Sequence, residues 1–196
     1  MAGSDVSVDQ SQTLIIGHSA GGYLAAQSAL TQPKGSIKGV IAAYPMLDMS
    51  SKFGQHPFGS PMLPASTIHE HLATMKPGEV ITGLPMPPLE RLGLAVAIVQ
   101  HHRFPEFLGP DKSLYPIDVL KEKNSFPPLF IYHGTEDSAV DVAGTKKFVE
   151  VAKGVMDSDR MVVRLEPGDH GFDAMVGIEE PWMKEGLTLV SRAWLE

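Results

Sequence analysis

The hexapeptide Gly17-His18-Ser19-Ala20-Gly21-Gly22 restricts what this chain can fold into more than any other stretch. Before it stands Thr13-Leu14-Ile15-Ile16, a short apolar run with β-branched residues; after it runs Tyr23-Leu24-Ala25-Ala26-Gln27-Ser28-Ala29-Leu30, rich in helix formers. The sequence therefore predicts a strand, a sharp turn and a helix. Glycines flanking the serine remove side chains that would clash in so tight a turn. The turn projects the Ser19 hydroxyl beyond the sheet at the amino end of the following helix, where negative charge is favoured.

Three more apolar runs complete the strand prediction. Ile37-Lys38-Gly39-Val40-Ile41-Ala42-Ala43-Tyr44 stops at Pro45, which cannot donate to a sheet ladder. Pro128-Leu129-Phe130-Ile131-Tyr132-His133-Gly134 and Met161-Val162-Val163-Arg164-Leu165 follow later, with helical stretches expected near Val140 to Lys153 and from Pro181 to Leu195. Strands that are apolar throughout and joined by helices imply an α/β fold, a mostly parallel sheet of about four strands covered on both faces.

The interval from Asp48 to Val119 differs in kind. It contains Pro57, Pro61, Pro64, Pro77, Pro85, Pro87 and Pro88, together with Met49, Met62, Met75 and Met86, and one strongly apolar helix is expected near Arg91 to Gln100. A structureless loop of that length inside a compact domain is improbable, so residues 48–118 are expected to form an inserted cap on a core made of residues 1–47 and 119–196. Methionine adapts to irregular apolar shapes, and Phe53, Phe58, Leu63, Phe104 and Phe107 are candidates for lining a pocket under that cap.

Composition removes several classes of function. A net charge of −7 argues against nucleic acid and anionic membrane as partners, because that affinity comes from Lys and Arg neutralising phosphates. No cysteine is present, which excludes disulfides and thiolate metal sites and is consistent with the cytosol. Met1-Ala2-Gly3-Ser4-Asp5-Val6-Ser7 has neither a basic nor an apolar leader segment, and no apolar run approaches a membrane span, so a cytoplasmic chain is expected.

A serine hydroxyl becomes a nucleophile only beside a base, and an imidazole base needs a carboxylate to fix its tautomer and stabilise its cation. His133-Gly134-Thr135-Glu136-Asp137 places Asp137 at the carboxyl end of the third strand; Asp169-His170-Gly171-Phe172 places His170 at the carboxyl end of the fourth. The order Ser, Asp, His puts all three on one edge of the sheet. Glu136 and Asp141 are alternative acids. His133 is expected to pack the turn beneath the site, His18 to pack or hydrogen-bond beside the serine, and Asp169 and Asp173 to be solvated or turn-forming. His69, His71, His101 and His102 have no carboxylate or cysteine cluster beside them and are expected to be surface histidines of the cap.

G-H-S-A-G-G, then H-G-x-x-D, then H-G-F resembles the α/β-hydrolase superfamily, specifically its esterase branch similar to hormone-sensitive lipase, with arylformamidase-like enzymes close by. The resemblance covers about residues 10–47 and 119–196 and implies a partial α/β-hydrolase fold. It implies hydrolysis of carboxylic esters or amides of small or medium acyl groups, with no cofactor and no metal. By motif, Ser19 is the nucleophile, Asp137 the acid, His170 the base, and the Ala20 N–H one donor of the oxyanion hole.

Enzymes of this kind also carry, well upstream of the serine, a His-Gly-Gly loop that completes the oxyanion hole, and about four earlier strands. About a dozen residues precede the serine's strand here, and none reads as that loop. Removing one oxyanion donor costs on the order of 10²- to 10³-fold in rate. Leu14, Ile15 and Ile16 would moreover lie at an open sheet edge, which folded proteins normally cover. A fragment, or a protein whose amino-terminal half comes from another chain or a second copy, is therefore expected. The functional expectation is a serine carboxylic-ester hydrolase acting on a small-molecule substrate. An arylformamidase-type amidase and a weakly active or non-catalytic binding module of the same fold are the alternatives.

Overall fold

The computed structural model of the chain describes residues 9–51, 53–76, 78 and 91–196. The leader reading of Met1 to Ser7, and Pro77, Pro85, Met86, Pro87 and Pro88 of the expected cap, lie outside the described residues.

Four strands, β1 (Thr13–His18), β2 (Ile37–Ala43), β3 (Leu129–Gly134) and β4 (Met161–Glu166), form one sheet in the order β1-β2-β3-β4. Every pairing is parallel, with Ile16 opposite Ile41, Ile41 opposite Phe130 and Phe130 opposite Val162. Between β1 and β2 runs helix α1 (Ala20–Thr31). The β2–β3 connection holds α2 (Ser66–Thr74), α3 (Leu92–Gln100), α4 (Phe104–Leu108) and α5 (Pro116–Lys121). Helix α6 (Val142–Ala152) joins β3 to β4, and α7 (Pro181–Leu195) follows β4.

The strands alternate their side chains between two cores, as the pleat requires. Val40, Ala42, Leu129 and Ile131 pack with Ala25, Ala26 and Leu30 of α1, Leu120 of α5 and Phe148 of α6. Ile41, Ala43, Phe130 and Tyr132 face the other way, against Met183 and Val190 of α7. Helix α7 sits so close to the sheet that a Cβ on Gly186 would fall inside the Phe130 ring. Two covered faces are what the uninterrupted apolar strands predicted.

Strand β1 lies at one edge of the sheet and Ile16 is 67% exposed, as expected for Leu14 to Ile16 in a four-strand order. The apolar helix anticipated near Arg91 is α3, while α2 and α4 are additions to that expectation. Met46, Met49, Phe53, Tyr115, Ala139 and Val140 form a third cluster that ties this interval to the loop after β3. The expected boundary at 118 falls within α5, which packs on α1 and α6. Among the described residues no helix is long and apolar enough to cross a membrane.

Candidate active site

Parallel strands end on the same side, so the segments leaving β1, β2, β3 and β4 converge at the carboxyl edge of the sheet. Ser19 leaves β1 with φ 55° and ψ −124°, a conformation that L residues avoid. Its N–H donates to Ala43 O at 2.9 Å, and its carbonyl accepts from Gly22 N–H at 3.0 Å and Met46 N–H at 3.2 Å, which fixes the turn. A Cβ at Gly17 would overlap the Gly21 carbonyl, so the glycine flanking the turn is a steric requirement. Ala20 opens α1, in the first turn where backbone N–H groups have no intrahelical acceptor.

The three residues singled out by sequence spacing are brought together. Ser19 Oγ lies 2.9 Å from His170 Nε2, and His170 Nδ1 lies 2.8 Å from Asp137 Oδ2. The carboxylate accepts at Nδ1, so that nitrogen carries the proton and Nε2 is left to accept from the serine hydroxyl. Asp137 is fully buried and accepts from Ala139 N–H at 2.9 Å and Val140 N–H at 2.8 Å. Burial opposes its ionisation, but hydrogen bonds from His133, His170 and the Val140 N–H outweigh that cost and hold its carboxyl well below the usual range. The acid of this arrangement is therefore a carboxylate at neutral pH.

The alternative acids are engaged elsewhere. The Glu136 carboxylate accepts from Gly168 N–H, and Asp141 caps α6 by accepting from Ala143 N–H at 2.8 Å. Asp169 is turn-forming: it accepts from Ser138 N–H and from His170 N–H, both at 2.7 Å. Asp173 does more than end a turn, since the Tyr132 hydroxyl donates to it at 2.7 Å and anchors the segment after His170. His18 is exposed beside the serine, and its ring centroid stands 6.2 Å from that of Tyr44. Of the interval's histidines, His101 Nε2 meets Leu63 O at 2.8 Å and His69 Nε2 faces Arg103 at 3.5 Å.

Two residues of the site, Tyr44 and Ser138, were not singled out in the sequence, whereas Phe58 stood among the pocket-lining candidates. Tyr44, with φ 37°, sets its ring edge-on to His170 at 4.6 Å, and Phe58, with φ 56°, approaches His170 at 5.6 Å. Of the four non-glycine residues with positive φ among the described ones, Ser19, Tyr44 and Phe58 thus all lie against the same imidazole. Ser138 links the segments: its hydroxyl accepts from Phe58 N–H at 3.0 Å and donates to Asp169 at 3.0 Å. Tyr44 could have been suspected from its place at the end of β2, between the strands that end in Ser19 and Asp137. Phe53 and Phe104 instead pack on each other at 5.5 Å, while Phe107 is exposed. Of the aromatic candidates for a pocket lining, Phe58 is the one that reaches His170.

A family model described as Phospholipase/Carboxylesterase matches residues 2–80. A probable carboxylesterase of a Phoma species, M8, is 26% identical over 197 residues, covering 95% of this chain and 61% of the relative. Among solved structures, esterase 2 of Thermogutta terrifontis phosphonylated by sarin superposes with a TM-score of 0.54 at 19% identity, over 94% of this chain and 56% of that one. A Staphylococcus aureus protein of unknown function superposes with a TM-score of 0.60 at 18% identity, over 92% and 63%. This chain thus spans about six-tenths of the length of each. The fold is that of the α/β-hydrolases: a parallel four-strand sheet flanked by helices, matching these structures.

Proposed function

We propose that the chain hydrolyses carboxylic esters through an acyl-enzyme formed on Ser19. The observation that carries this reading is the continuous line from Ser19 Oγ to His170 Nε2 at 2.9 Å and from His170 Nδ1 to buried Asp137 at 2.8 Å. Esterases among its relatives and structural neighbours support the substrate class.

In the proposed reaction Ser19 Oγ attacks the acyl carbonyl while its proton passes to His170 Nε2. The Nδ1–H stays bonded to Asp137, whose charge stabilises the imidazolium. The carbonyl oxygen, now an anion, takes the N–H of Ala20 in the first turn of α1, where unpaired backbone donors favour negative charge. His170 returns the proton to the leaving oxygen as the C–O bond breaks. Water then repeats the sequence on the acyl-serine: its proton goes to Nε2, its oxygen to the acyl carbon, and Ser19 recovers its hydrogen. Residues 48–118 act as a cap, and Phe58, exposed beside His170, forms a wall against which a small or medium acyl group rests.

Steady-state hydrolysis of an aryl butyrate, an aryl laurate and an N-formyl aromatic amide tests the proposal. Turnover of the esters that disappears in Ser19→Ala supports it. Turnover of the amide alone would replace the esterase reading with an amidase one, and turnover that survives Ser19→Ala would overturn the mechanism.

A further inference from the structure

His133 is fully buried near the end of β3, and its ring is bonded at both nitrogens. Nδ1 stands 2.7 Å from Thr145 Oγ1 on α6. Nε2 stands 2.9 Å from Val140 O and 3.1 Å from Asp137 Oδ2. A carbonyl and a carboxylate can only accept, so Nε2 carries the proton and shares it between them. Nδ1 is then bare and accepts from the Thr145 hydroxyl, itself completely buried. The arrangement is thus one tautomer of one ring, chosen by the two acceptors at Nε2 and met at Nδ1 by the Thr145 hydroxyl of α6.

The consequence falls on Asp137. Its Oδ1 takes the Ala139 and Val140 N–H groups, and its Oδ2 takes Nδ1–H of His170 and Nε2–H of His133. Four donors meet a carboxylate that has four lone-pair sites and no exposure. Oδ2 is held from two sides, by a ring that must move a proton and by one locked in place. A histidine that merely filled the core would have no need of a carboxylate oxygen.

We infer that His133, held in its Nε2–H tautomer by the Val140 carbonyl and the Asp137 carboxylate, is a positioning residue that holds Asp137 Oδ2 in line with His170. The inference rests on the hydrolase reading above for its effect on turnover, while the tautomer and the hydrogen bonds exist whether or not the chain is active. Removing the donor lets the carboxylate turn on its remaining bonds and misaligns the base without touching the substrate site. That predicts a loss in kcat with KM unchanged.

The test uses His133→Gln, whose amide can still donate, His133→Leu, which cannot, and Thr145→Val, which keeps the shape of Thr145 without its hydroxyl. Aryl butyrate kinetics are measured beside one- and two-dimensional proton and 15N spectra of the imidazoles. In folded His133→Leu, kcat is expected to fall about 10- to 100-fold with KM unchanged, and His133→Gln to recover most of it. The wild-type spectrum is expected to show His133 protonated at Nε2 alone, and Thr145→Val to keep that proton on Nε2, where both acceptors remain. A wild-type His133 protonated at Nδ1 alone, or a folded His133→Leu with wild-type kcat, would overturn the inference. If His133→Leu does not fold, the spectra of wild type and Thr145→Val decide: a proton absent from Nε2 in either overturns it. If the wild type shows no turnover, the hydrolase reading fails, and the inference is judged on the His170 Nδ1–H resonance. Its displacement in His133→Leu and retention in His133→Gln support the brace, and its indifference to both overturns it.

Discussion

Ser19 and His170 are separated by 151 positions in the chain, yet the hydroxyl of one lies 2.9 Å from Nε2 of the other. The sheet makes that meeting. β1 and β4 are its two edges, and the loops that carry the two residues must cross above β2 and β3 to touch. Tyr44 after β2 fills the space between them and presses on the imidazole at 4.6 Å. The contact therefore depends on the alignment of all four strand ends.

Replacing Asp137 by Asn removes the charge and, with the amide oxygen kept by the Ala139 and Val140 N–H groups, turns a donor toward His170 Nδ1, which reverses the tautomer. The expected loss in kcat is about 10⁴-fold, with little change in KM. The same substitution alters acid stability. The native carboxyl titrates below the unfolded value of about 3.9, so the stability it contributes is complete above that value and is lost as pH falls through the native one. Urea unfolding between pH 7 and 2 is expected to show a steeper acid decline for wild type than for Asp137→Asn.

The tyrosines of the site give the opposite dependence. Burial, with Asp173 beside it, pushes the Tyr44 hydroxyl up to about 12, and burial with the bond to Asp173 raises Tyr132 further. Their neutral forms are favoured in the folded state, so their contribution is complete below the unfolded value of about 10 and is lost as pH rises through the native ones. Ultraviolet titration is expected to show three tyrosines that ionise late, the two of the site and Tyr23, which burial also raises. Loss of one late step in Tyr132→Phe assigns it.

Phe58 is 65% exposed and reaches the imidazole ring, so its truncation separates substrate contact from folding. Phe58→Ala is expected to leave stability within about 0.5 kcal/mol. It is expected to lower kcat/KM for an aryl butyrate by about 10-fold. Equal loss on acetate and butyrate esters would remove Phe58 from the acyl wall.

Gly186 lets α7 approach the Phe130 ring more closely than any side chain allows. Gly186→Ala is expected to destabilise the protein by about 1–3 kcal/mol, because α7 must lift or Phe130 must leave its rotamer. Denaturant midpoints measure this directly.

Much of this architecture was legible in the sequence for physical reasons. Leu129 to Tyr132 and Ile37 to Ala43 are buried on both faces and so read as continuous apolar runs, and the turn at Ser19 requires glycines that stand out by themselves. Asp137 and His170 follow strands at the carboxyl edge, where chain order alone puts them together. Tyr44 and Ser138 were not legible, and Phe58 only as a pocket-lining candidate, because each acts through a contact made across the fold: a ring edge on His170, or a hydroxyl that joins residue 58 to Asp169. His133 was legible as a residue packing the turn but not as a donor to Asp137, since that contact is made only when the loop after β3 folds back over the ring. Helices α2 and α4 escaped notice because a polar stretch such as Ser66 to Thr74 has only Ile68 buried to give it a face.

The most direct measurement of the central claim is treatment of the purified chain with a fluorophosphonate probe beside Ser19→Ala and His170→Ala, the adduct being located by peptide mass spectrometry. The account predicts a phosphonyl group on Ser19 in wild type, none in Ser19→Ala, and a large fall in labelling rate in His170→Ala. A folded wild-type chain that takes no label at Ser19, or takes it equally well without His170, would contradict the account.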